Sequence, residues 1–360
     1  MNFTTDPTYT QKRMTSLTQV AISTRKIIRY GIYGILGLIA LRIIFGLGIN
    51  LYKRLFPKPP PPPTVAFGKL PGLPFPEKER PQVTYTLQTV TGQLPALPTQ
   101  TKVYFMPQLS SNLLALESAK QKATSLGFVS EPIAKSETIY TFPHPRVPSD
   151  LEMNIITGSF SISYNLSIDS SPVERRPSSP EIAASQVRSF LSSANLLPED
   201  LTGQTSHEFL KIEALRLVDA ISLSEADLVR VNLFRRAYDE LPAVTPDPKR
   251  ANVWFLVTGA SQREKQIVNG EYHYFPVDEE QSSTYPIKTA QDAYNELAAG
   301  AGYIANMGQS ESGQVVIREV YLAYYDAGEQ VEFYQPVIVF AGDNNFIAYV
   351  PAVTADYYEE

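Results

Sequence analysis

Residues 31–52 read GIYGILGLIALRIIFGLGINLY, an apolar run interrupted only by Arg42 and Asn50. At about 1.5 Å per residue a helix of this length spans roughly 33 Å, enough to cross a hydrocarbon core of about 30 Å. The stretch predicts one transmembrane helix, with most of the chain on one side of a lipid bilayer. A cleavable signal peptide would have an apolar region of about 7–15 residues and then a small-x-small site. Here the run is longer and gives way to Lys53, Arg54, Leu55 and Phe56, so an uncleaved signal anchor is expected.

Arg42 is the costly residue of the span. An arginine near the helix centre costs about 2.5–3.5 kcal/mol on insertion scales, and each flanking Leu, Ile or Val returns about 0.3–0.6 kcal/mol. This intramembrane charge either snorkels from a lone helix or pairs with an acidic group of a partner helix. Glycines 31, 34, 37, 46 and 48 permit close helix contact without forming a strict GxxxG pair. Lys12, Arg13, Arg25, Lys26 and Arg29 precede the span, and Lys53, Arg54 and Lys58 follow it. The first 52 residues are net basic while the whole chain carries −6, so the remainder is strongly acidic. A cytoplasmic tail over 1–30 and an extracytoplasmic C-terminal region follow, in the cell membrane.

There is no cysteine among the 360 residues, which excludes disulfides and thiolate metal sites. The acidic balance beyond the span argues against nucleic acid as a partner, since such binding needs a basic footprint. Prolines crowd residues 57–81, with five in a row over 59–63. The reading is a polyproline linker over 53–81, stiff at about 3.1 Å per residue. The motif 66–71 (AFGKLP) interrupts it and is expected to dock on the folded region, because Phe67 and Leu70 favour burial.

Beyond the linker the pattern is α+β: tandem modules, each a helix followed by antiparallel strands. A first α+β domain covers 82–172. Its opening strand is 83–91; helix 110–126 starts at Ser110 or Ser111, turns Leu113, Leu116, Ala119 and Ala123 inward, and closes on Gly127. Strands 138–142 and 152–167 follow, the second with a hairpin turn at 157–159. Residues 169–180, rich in Ser and Pro, read as a linker. A second α+β region covers 178–360. Its first helix runs from Ser179 or Pro180 to about Asn195, with Ile182, Val187, Phe190 and Leu191 inward, and strands 207–221, 226–234 and 252–258 come after it. Thr289 caps helix 290–299, which is followed by strands 314–325, 330–340 and 346–353. Helix-then-strands thus recurs near residues 110, 180 and 289.

The segments YPIKTA (285–290), VYLAYY (320–325), YQPVIVF (334–340) and AYVPAV (348–353) resemble the C-terminal part of YycH/YycI-type accessory proteins and PepSY-like modules. The likeness covers the C-terminal third only. It implies two PepSY-like modules within 178–360, anchored outside the membrane. It also implies a regulatory role, since the YycH/YycI type restrains a sensor kinase.

The residues themselves supply little chemistry. His144, His207 and His273 stand in no metal-binding spacing, and GxSxG, a phosphate loop and a dinucleotide fingerprint are all missing. The SxxK at Ser23–Lys26 lies on the inner side of the span. Gly308 to Gly313 has the wrong spacing for a nucleophile elbow, Asp278, Glu279 and Glu280 form an acidic loop, and Asp343, Asn344 and Asn345 read as a turn. Tyrosine is abundant at 21 residues, and Tyr321, Tyr324, Tyr334 and Tyr349 fall on the C-terminal strands. They are either cross-strand packing or a partner-binding face. The sequence therefore points to a binding or regulatory protein without catalysis, catalytic residues, metal or small-molecule cofactor, and with a membrane or envelope protein as partner. An envelope hydrolase using paired carboxylates and a structural spacer or assembly subunit are the alternatives.

Overall fold

A computed structural model describes residues 12–55, 61–77, 83–110, 112–203, 205–214, 216–308 and 313–359. The chain divides into two compact units, Met1–Pro62 and Pro63–Glu360.

The first unit is one helix, Lys12–Leu55. Its stretch Thr24–Ile49 has a mean hydropathy of 2.2, long and apolar enough to span a membrane. Arg42 lies inside it, among exposed Leu41, Ile43 and Ile44. In the expected tail over 1–30 the helix already runs from Lys12, with no Pro or Gly between Lys12 and Arg29 to break it; residues 1–11 lie outside the described set.

The second unit is α+β. Its largest layer is a nine-stranded, wholly antiparallel sheet. Helix Ala115–Ser125 precedes one set of strands (Ile133–Ala134, Ile139–Pro143, Ser149–Asn154, Phe160–Tyr164). Helix Pro180–Ser193 precedes the other (Thr205–Glu213, Arg216–Asp219, Leu228–Leu233, Val253–Val257, Ile267–Tyr272). The sets join where Phe160–Tyr164 pairs with Ile267–Tyr272, so strands from both sides of the expected 172–178 boundary build one sheet.

Alternation along the central strand sets the two faces of this sheet. Val253, Phe255 and Val257 meet both helices in one core, through Ala119 and Ala123 of the first and Ala183, Val187 and Leu191 of the second. Trp254 and Leu256 face the other way. Ile182 departs from expectation and is 53 % exposed, because the buried stripe follows 183, 187 and 191. Leu113 is likewise exposed, since the first helix begins later, after Leu114. The expected Ser110 cap is not used and Ser111 lies outside the described residues.

The Ser- and Pro-rich stretch after Tyr164 is a docked strap and not a free linker. Leu166 and Val173 pack on the second face of the sheet. Lys265 Nζ holds Asp169 Oδ2 at 2.9 Å and donates to Ser171 Oγ at 2.6 Å. Gly259 lets the strap pass closely: a Cβ there would lie 1.9 Å from the Arg176 carbonyl oxygen.

Thr289 accepts a hydrogen bond from the Asp292 amide at 3.1 Å and so caps helix Ala290–Ala298, as its spacing predicts. That helix covers a second core on a six-stranded sheet built on Gln314–Tyr325, Pro336–Gly342 and Ile347–Pro351. Thr84–Leu87 joins this sheet, parallel to the start of Gln314–Tyr325. A three-stranded sheet (Asp278–Pro286, Gln100–Phe105, Phe333–Tyr334) completes the unit. Residues 63–77 belt these layers, as the AFGKLP motif implies. Leu70 is fully buried and bridges to Tyr358, and Phe75 stacks on Tyr303 with ring centres 4.9 Å apart. Of the linker expected over 53–81, residues 53–55 complete helix Lys12–Leu55 and residues 63–77 are docked, while 56–60 and 78–81 lie outside the described set.

Candidate functional site

The C-terminal tyrosines divide between two faces as strand periodicity requires. Tyr321 and Tyr325 pack in one cluster and Tyr324 in another. The binding-face alternative nevertheless fails for three of the four candidates: Tyr324, Tyr334 and Tyr349 are each 0 % exposed, and Tyr321 is half-buried. Tyr324 stacks on Tyr334 at 5.0 Å, with Tyr238 edge-on to both. Tyr324 donates to the Lys102 carbonyl at 3.0 Å and Tyr349 to the Thr245 carbonyl at 3.1 Å. Burial raises the pKa of both phenols, so these rings are neutral packing groups.

Beside them lies a charged cluster with no signature in the sequence. Arg235, its side chain 1 % exposed, donates from Nη1 to Asp200 Oδ2 at 2.7 Å and from Nε to Asp326 Oδ2 at 2.9 Å. Its third donor goes to the Phe275 carbonyl, and its guanidinium lies over the Tyr274 ring at 4.6 Å. Burial opposes this charge, but the facing carboxylates of Asp326 and Asp200 hold the arginine protonated. The partners are 35, 40 and 91 residues away along the chain, so local pattern could not reveal them. The cluster ties strands of the nine-stranded sheet to the C-terminal layers, with Nε, Nη1 and Nη2 of Arg235 each donating to protein, which makes it structural.

An accessible groove lies on the helix side of the nine-stranded sheet. Two adjoining cavities of about 630 Å³ and 310 Å³ share Phe190, Arg263 and Ile267. Ile182 and Phe190 of helix Pro180–Ser193 give the larger cavity its apolar wall, with Ser185, Gln186 and Ser189 between them. Gln186 Oε1 is buried without a hydrogen-bond partner. The smaller cavity is edged by His144, Arg146 and Glu264. Arg146 pairs with Glu264 at 3.5 Å, whereas Arg263 reaches only the Ser193 hydroxyl at 3.2 Å. Among the described residues Arg263 has no ion-pair partner, and the one acid in the larger cavity, Glu181, is not paired with it.

His144 is a satisfied residue. Its Nδ1 accepts from the Arg146 and Val147 amides at 3.2 Å and 3.3 Å, and its ring meets Phe128 edge-on. Burial, and then Arg146, lower its pKa from 6.5. The folded protein then binds fewer protons than the unfolded chain, so stability rises with pH. This contribution is fully present above pH 6.5 and is lost as pH falls from there through the depressed value. His144→Asn, which can keep an acceptor for the two amides, is expected to shrink the loss of melting temperature between pH 7.5 and 5.5; an unchanged loss would show that His144 does not contribute.

Ser171 and Lys265 come closest to a nucleophile–base pair. Lys265 Nζ is engaged by the Asp169 carboxylate at 2.9 Å, so it serves as an ion-pair partner here. Lys265 first, and then Ser171 and Tyr164, hold the Asp169 carboxyl well below the usual carboxylate range. The trio is a latch for the strap. The acidic cluster stays at the surface with Glu279 on Arg236, and Asp343 forms a bidentate pair with Arg318 at 2.7 Å and 2.8 Å. Of the loop 308–313, residues 309–312 lie outside the described set. Among the described residues no group of three or more His, Asp or Glu could hold a metal ion.

No protein-family model matches this sequence, and no curated protein does. Among solved structures, an uncharacterized protein from Eubacterium rectale is 13 % identical with a TM-score of 0.41, over 73 % of this chain and 86 % of that one. The Bacillus megaterium YpeB C-terminal domain is 11 % identical with a TM-score of 0.31, over 69 % of this chain and 95 % of that one. Both scores are too low to establish a shared fold, so the YycH/YycI- and PepSY-type likeness rests on sequence texture.

Proposed function

We propose that this chain is a single-pass membrane protein, N-terminus cytoplasmic, whose extracytoplasmic α+β body acts by binding a protein or peptide partner and not by catalysis. The groove beside helix Pro180–Ser193 carries the reading. It combines an exposed apolar residue, Ile182, with an arginine, Arg263, that has no ion-pair partner among the described residues. That chemistry suits an extended segment bearing an apolar side chain and a carboxylate. Paired-acid hydrolysis needs two carboxyl groups about 5–9.5 Å apart. The two cavities of the groove carry one acid each, Glu181 and Glu264, which favours binding over hydrolysis. The regulatory role implied by the YycH/YycI-type likeness would place the partner in the same membrane, and Arg42 would pair with an acidic group of that partner's helix.

A photo-crosslinking amino acid at position 182 of the full chain, activated in intact cells, tests this. An adduct to a membrane-fraction protein is expected, its crosslinked peptide should contain Asp or Glu, and Arg263→Glu should reduce it at least fivefold. Both sites are exposed, so folding should be unaffected. Absence of an adduct, or an adduct indifferent to the charge reversal, would contradict the reading.

A further inference from the structure

The opposite face of the nine-stranded sheet carries a separate cavity of about 430 Å³, between the strap and the tip of the hairpin formed by Thr205–Glu213 and Arg216–Asp219. Leu228, Leu256 and Val268 form its floor and are 1–3 % exposed. Leu166 and Val173 of the strap wall one side, and Ile212 and Leu217 of the hairpin wall the other. Leu217 is 46 % exposed, an apolar side chain left half in water at the cavity mouth. Arg216 stands on the same rim. Its strand neighbour Glu213 is taken by Lys211 at 2.7 Å, and Asp227 accepts the Ile212 amide at 2.8 Å. No carboxylate lies within ion-pair distance of Arg216 among the described residues.

From this arrangement we propose that the cavity binds a single-chain anionic amphiphile, its hydrocarbon tail on Leu228, Leu256 and Val268 and its carboxylate on Arg216. The volume falls within the range of small-molecule sites, about 300–1,000 Å³. The floor favours a hydrocarbon over a peptide. Its backbone groups are consumed by the ladders between Ile267–Tyr272, Val253–Val257, Leu228–Leu233 and Thr205–Glu213, so the floor itself offers the side chains of Leu228, Leu256 and Val268, while Ser167, Ser170, Asp227 and Asn269 stand around it. A peptide laid there would bury its own amides without partners, whereas an alkyl chain loses nothing. At the mouth Arg216 has no ion-pair partner among the described residues and favours an anionic head, while the Asp227 carboxylate in the same lining is turned to the Ile212 amide. This site is independent of the groove on the helix side.

The test uses the full chain in lipid nanodiscs, free of detergent, and two diazirine-bearing twelve-carbon probes: a carboxylate and a trimethylammonium. The carboxylate should label peptides from the 210–228 and 164–173 regions at least fivefold more than the cationic probe does. Arg216→Glu should reverse that preference, and Leu217→Glu should reduce labelling by both; each residue is exposed, so the fold tolerates the change. Labelling spread evenly over the body, or a preference unmoved by Arg216→Glu, would overturn the proposal.

Discussion

Replacing Arg235 with alanine is expected to destabilise the Pro63–Glu360 unit by about 3–5 kcal/mol, the loss found when one partner of a buried ion pair is removed. The physical reason is what remains. Asp200 and Asp326, with side chains 7 % and 9 % exposed, would face each other without their counter-ion, and the Phe275 carbonyl would lose its donor. Tyr274 and Tyr334 would also lose the guanidinium that lies over their rings. Arg235→Lys keeps the charge but not the planar fork, so it cannot serve three acceptors in one geometry and should recover only part of the loss. Adding Asp200→Asn and Asp326→Asn to Arg235→Ala should be less harmful than the sum of the separate changes, because the buried negative charge goes too. Urea unfolding followed by fluorescence of Trp254, the single tryptophan, reads all of these. A loss below about 1 kcal/mol for Arg235→Ala, the scale of an exposed pair, would remove the cluster from its structural role.

Leu70→Ala is expected to cost about 2–5 kcal/mol, as for other fully buried leucines. Leu70 packs with Val103, Tyr285, Phe333 and Val353, and its backbone donates to Tyr357 at 2.8 Å and accepts from Glu359 at 2.9 Å. The cavity would open under the belt itself, so residues 63–77 should loosen before the rest of the body. Limited trypsin digestion detects this at Lys69, which is exposed yet held beside the bridge. Cleavage after Lys69 should quicken by tenfold or more in the variant. Unchanged cleavage would mean that the belt is held elsewhere.

These two sites mark where the sequence was legible and where it was not. Local signals were reliable: the Thr289 cap, the turn at Gly158, the Ala119 and Ala123 stripe, and the α+β character itself follow from neighbours a few residues apart. The docking of the AFGKLP motif was legible because Phe67 and Leu70 are too apolar for a proline spacer. Pairing was not legible. Alternation marks 83–91 as a strand, of which Thr84–Leu87 forms one, but only the fold shows its parallel partner at Gln314–Ile317. Ser and Pro mark residues 169–180 as a linker, and the sequence does not show that Lys265 and Gly259 clamp them to the sheet. Tyrosine periodicity assigns faces correctly; it cannot say whether a second layer covers each face, and here one does. The Arg235 cluster and both apolar cavities share that origin, since each is assembled from segments far apart in the chain.

The central claim is that helix Thr24–Ile49 holds the protein in a bilayer, and alkaline carbonate extraction of membranes from cells expressing the full chain tests it most directly. The account predicts that the protein stays in the membrane pellet at high pH and is released only by detergent. Recovery of the intact chain in the carbonate supernatant would contradict it.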